Sequence, residues 1–206
     1  MTSNYLERSE ILKGILEIVE PFETISELVS KEIARPSGSH SEQWHEFRKV
    51  IGDRVKSLHS RYRFAMKLPP DELGLSALAA ISNLIGVQHS FAHIFVMIDM
   101  LHGQTFDEVF MDSMVSISEK VTQEISSLKN MIETCTESPE DTSDCLKDIM
   151  RLEREIDEDN IIVCRQISVA TGGDSDIICY LMRKIVKELE HISDYVKECA
   201  EILADF

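Results

Sequence analysis

From Leu73 to Ile98 the chain carries no Asp, Glu, Lys or Arg, and this stretch constrains the fold more than any other. At helical spacing Val87, Phe91 and Ile94 fall on one side and Leu78, Ile85 and Val96 on the other. A helix that is apolar around its whole circumference has to be covered on all sides. By length the segment reaches across a bilayer. Ser76, Ser82, Asn83, Gln88, His89, Ser90 and His93 are nevertheless a heavy polar load for lipid. The sequence therefore predicts no transmembrane segment here. It predicts one of the most buried helices of the fold, enclosed between two helical units or in a homodimer contact.

The rest of the chain reads the same way. Only 8 Gly and 5 Pro occur in 206 residues, 43% of which are hydrophobic, and no segment alternates as a strand would. Breaker-rich turns fall at residues 35–40, 68–71, 102–105, 136–140 and 171–174. They leave six long segments, predicted as helices near 6–33, 41–66, 71–101, 106–135, 139–170 and 175–204. Thr105 to Glu108 spells a capping box, and Gly172 with Gly173 makes a helix stop. Asp53 and Asp157 lie 104 positions apart, and His89 and Asp194 lie 105 apart. The matching offsets suggest an all-α duplication, with one antiparallel three-helix unit in residues 1–103 and a second in 104–206.

Charge separates the halves. The net charge is −16; residues 1–103 hold 11 basic and 13 acidic side chains, whereas residues 104–206 hold 10 and 24. Such a field disfavours nucleic acid and anionic lipid, and favours cations or a basic protein surface. The five cysteines, Cys135, Cys145, Cys164, Cys179 and Cys199, form no CxxC pair and are read as reduced thiols. The first residues, Met-Thr-Ser-Asn-Tyr-Leu-Glu-Arg, lack the basic flank and apolar run of a signal peptide, which points to a cytoplasmic protein.

The acids of the second half recur at helical spacing. In the fifth segment Cys145, Ile149, Leu152, Ile156, Val163 and Ile167 make an apolar stripe, flanked by Glu153 and Asp157. In the sixth Ile178, Leu181, Ile185, Leu189, Ile192, Val196, Cys199 and Leu203 make the stripe, with Glu190, Asp194 and Glu198 away from it. Carboxylates four apart share a helix face, and oxygen ligands on one face suit a hard or borderline cation. Glu153, Asp157, Glu190, His191, Asp194 and Glu198 are the candidate metal ligands on a surface strip; the same spacing also describes a plain solvated face. Counted from a turn at 171–174, Asp157 and Asp194 should stand ~9 Å apart in height.

The two motif helices, Arg151-Leu-Glu-Arg-Glu-Ile-Asp157 and Leu189-Glu-His-Ile-Ser-Asp-Tyr-Val-Lys-Glu-Cys-Ala-Glu-Ile-Leu203, resemble those of the PhoU-like family of phosphate-transport accessory proteins. The resemblance covers residues 106–206 closely, and residues 1–103 only in helix pattern. It implies a non-enzymatic regulator of phosphate transport that docks on a transporter or its sensor protein at the inner face of the membrane. It also implies acidic motifs able to hold iron or zinc, matched here by Glu153, Asp157 and Asp194. The chain departs from the pattern at His191, where the family often has an acid, and at Lys197, where it has Glu. In the first half Asp53 is kept, but Lys49 precedes it by four and His89 and His93 stand where an acid is expected. A His pair at i, i+4 is itself a transition-metal face, and equally a pair of packed histidines.

Two other readings compete. Glu188-x-x-His191 and Glu42-x-x-His45 match the ligand unit of ferritin-like carboxylate metalloproteins, but such ligands must project into a bundle core. A metal-free helical scaffold is the other. No Gly-rich phosphate loop, catalytic triad or activated cysteine context is present in the sequence, so an enzyme is not expected.

Overall fold

The computed structural model describes residues 5–34, 49–50, 52–54, 57–101, 108–137, 142–170 and 176–206. Its elements are α1 (Arg8–Ile33), a helical run α2 within residues 49–61 that tightens into a 3₁₀ turn (Tyr62–Lys67), α3 (Glu72–Leu101), α4 (Glu108–Glu137), α5 (Ser143–Ala170) and α6 (Ile177–Ala204). No strand occurs among the described residues. The predicted helix order therefore holds. The capping box at Thr105, the Gly172–Gly173 stop, residues 41–48 of the second predicted helix and the Glu42/His45 pair lie outside the described residues.

Helix α1 shows how the sequence and its packing fit together. Pro21 lies inside it, and a proline lacks the N–H that would satisfy the carbonyl four residues earlier. That carbonyl belongs to Glu17, and Arg61 of α2 donates to it. A side chain from the next helix thus repairs the ladder, and α1 runs on to Ile33.

Every long helix packs antiparallel to a neighbour. On α1 and α4, Glu23 accepts from Lys129 at 2.8 Å and from Ser126 at 2.9 Å, while Ser118 donates to Ser30. On α4 and α5, Lys120 meets Asp159 at 2.9 Å, and Ser113 donates to Gln166. Helix α3 lies along α6, where the backbone at Gly86 comes so close to Tyr195 that a Cβ would sit 2.7 Å from its ring. Helix α4 also touches α6, and α1 touches α3. Arg8 draws three ends together by donating to the carbonyls of Cys135 and Phe206.

One core fills the seams, with Phe22 and Phe91 stacked at a tilt near its centre. The uncharged helix is among the most buried, with as many buried residues as α1, but the expectation that it is covered on all sides is corrected. Among the described residues α6, α1 and the 3₁₀ turn pack on one side of α3, burying Ala77, Leu84, Val87, Phe91 and Ile94. Leu75, Leu78, Ile85, Val96 and Met100 stay exposed, Leu75 at 69%. By length and composition α3 could cross a membrane.

Candidate functional site

The acids of α5 and α6 meet at the seam between these helices, together with a residue of α4. Lys197 of α6 donates to Glu153 of α5 at 2.6 Å, which fixes the register. One turn along, Asp157 is near enough to Asp194 for their charges to interact.

The strip is also less superficial than its spacing suggests. Glu153 is only 7% exposed, which corrects its assignment to a surface face. Asp157, Glu190, His191 and Asp194 are half-buried, and Glu198 alone is fully exposed. Burial, with repulsion from Glu153 and Glu190, raises the pKa of Asp157. Burial first, then Glu190, Asp157 and Glu153, raises that of Asp194. Lys187 donates to Glu190, and that bond raises the lysine's pKa; the bond to Glu153 does the same for Lys197. Two of the candidate ligands thus already hold an ammonium group each.

Helix α4 contributes the residue that sequence reasoning missed. Glu124 is 0% exposed, and neither of its carboxyl oxygens has a hydrogen-bond partner. The Ser193 hydroxyl is close enough to favour the charged form, but the two do not meet in hydrogen-bond geometry and the hydroxyl is itself unpartnered. Desolvation dominates and pushes the Glu124 carboxyl well above 4.5; Glu153 and Asp194 push the same way, and Lys197 opposes them. The signal was in the sequence. Ile117, Val121, Leu128, Met131 and Cys135 are all buried along α4, and Glu124 takes the place in that stripe where an apolar residue belongs.

A second contact crosses from α3 to α6. Glu188, whose side chain is 13% exposed, lies 3.2 Å from His93 Nδ1 and 3.7 Å from His191 Nδ1. The carboxylate of the Glu188-x-x-His191 unit therefore ties α6 to α3 between two histidines, at the bundle surface rather than in its core. His89, Lys49 and Asp53 are exposed. Among the described residues no three His, Cys, Asp or Glu side chains are disposed to hold a metal ion. As arranged, lysines stand where a cation would, and the fit to iron or zinc is poor.

Set against known protein families and curated proteins, the chain matches none of them.

Proposed function

We propose that the chain is a PhoU-like, non-enzymatic accessory protein that regulates phosphate transport by docking on a transporter or its sensor at the cytoplasmic face of the membrane. One observation carries the reading: helices three apart in sequence pack together, α1 on α4 and α3 on α6. Two copies of a three-helix unit, residues 1–103 and 104–206, would pair in this way about a pseudo-twofold axis. The acidic second half offers a basic partner surface its complement. The exposed apolar row of α3, from Leu75 to Met100, supports self-association as a homodimer. Depleting the protein in its own cells should change the rate of phosphate uptake, and crosslinking should capture a transporter or sensor subunit. Unchanged uptake together with no such crosslink would defeat the reading, and light scattering of a strict monomer at micromolar concentration would remove the dimer.

Glu124 favours a second reading, in which the seam takes iron or zinc. A buried carboxylate without a partner, beside Glu153 and Asp194, is an acceptor in want of a cation. Lys197 and Lys187 would first have to release Glu153 and Glu190. Metal analysis of untagged protein purified without chelator tests this. Stoichiometric metal that is lost in the Glu153→Ala/Asp157→Ala double variant would support it, and a metal-free protein would remove it.

A further inference from the structure

Beyond the acidic seam the same two helices change character. Residues 161–170 of α5 and 177–187 of α6 contain Arg165, Arg183, Lys184 and Lys187 and no carboxylate, in the half of the chain that holds most of the negative charge. Between them lies a concavity of about 450 Å³ lined by Asn160, Ile161, Cys164, Arg165, Ser168 and Arg183. Lys187 is committed to Glu190. Among the described residues neither Arg165 nor Arg183 forms an ion pair. Arg183 Nε is shut off from solvent and has no hydrogen-bond partner.

An unpartnered guanidinium N–H is costly, and although Nε itself is covered, Arg183 lines the concavity, where an anion would relieve that cost. The surroundings favour one. Helix α6 has no acid in its first turn beyond its N-cap. The cap residue Asp176 is already engaged with the Cys179 N–H at 2.8 Å. Asn160 accepts from Cys164 through its carbonyl oxygen, which leaves its amide N–H groups to donate.

We propose that this concavity binds a phosphate-type oxyanion between Arg165 and Arg183. Two guanidinium forks from different helices need more acceptor oxygens than a carboxylate offers, and a phosphate group has them. The exposed Ile161 at the rim gives an organic substituent an apolar rest, so the group is either free phosphate or a phosphomonoester. The site does not depend on the reading of the chain as a transport regulator.

The test is titration of the full chain, in buffer free of phosphate and sulfate, with inorganic phosphate in one arm and phosphoserine in the other. Binding is read by calorimetry and by the Arg Nε–Hε resonances in NMR spectra. Saturable binding that shifts the Arg183 resonance, and weakens about tenfold or more in Arg183→Gln and in Arg165→Gln, is the expected result. Arg151→Gln, which lies outside the concavity and is paired with Glu155, should bind as the parent does. Tighter binding of phosphoserine assigns the site to an ester, and tighter binding of inorganic phosphate assigns it to the free ion. Circular dichroism checks that the variants fold. The parent protein's own resonances decide the matter if they do not. No saturable binding of either ligand up to concentrations on the order of 10 mM, or a static Arg183 signal during binding, would overturn the proposal.

Discussion

Glu153 and Glu124 are shut into the same seam from neighbouring helices, and their circumstances are opposite. Glu153 has Lys197 at 2.6 Å, a cation delivered from α6. Glu124 has only an unpartnered serine hydroxyl nearby and two acids at longer range. A buried charge survives where a partner replaces its hydration; where none does, the group keeps its proton. Side by side the two illustrate two ways of relieving a buried carboxylate, a lysine for Glu153 and a raised pKa for Glu124.

The largest way to break this comparison is through pH. Because the folded-state pKa of Glu124 is raised, the stability it contributes is fully present below 4.5 and is lost as pH rises through the folded value. Over that window it should lower the parent's stability by up to ~1.4 kcal/mol per pH unit. Glu124→Gln should remove that slope and be more stable by about 2 kcal/mol at pH 7. Urea unfolding of both proteins at pH 5, 6 and 7 measures the difference, and parallel curves would mean that Glu124 is ionised and solvated.

Removing the partner of the other glutamate should act in the opposite direction. Lys197→Met leaves Glu153 buried and unpaired, at a cost of about 2 kcal/mol, moderated because the lysine end is partly exposed. Adding Glu153→Gln should restore most of it. A double-mutant cycle with no coupling between the two would reduce the contact to a surface pair.

Much of this molecule is legible in its sequence. The apolar stripes predicted for α5 and α6 are buried from Ile149 to Ile167 and from Leu181 to Leu203, and only their first members, Cys145 and Ile178, are half-buried. Period alone could not say which neighbour covers each face. The uncharged α3 has an apolar surface all round, yet among the described residues α6, α1 and the 3₁₀ turn pack on one side of it. For the site, spacing found Glu153, Asp157, Glu190 and Asp194 but not the Lys197–Glu153 pair, whose members are 44 residues apart and meet only through register. Glu124 was passed over because it stands alone, and attention to pairs of acids hides a single one inside a stripe.

The smallest effects belong to the half-buried pair. Asp157→Asn and Asp194→Asn should each stabilise the fold at neutral pH by a few tenths of a kcal/mol, roughly 0.3, by relieving like-charge repulsion in the seam. A loss of stability in either would mean that the carboxylate holds something its neighbours need.

The most direct measurement is the ¹³C chemical shift of the Glu124 side-chain carboxyl, followed from pH 4 to pH 9 in the full-length chain. Relief by a raised pKa predicts a protonated carboxyl at pH 7, with a midpoint far above 4.5. A midpoint at or below 4.5 would contradict it.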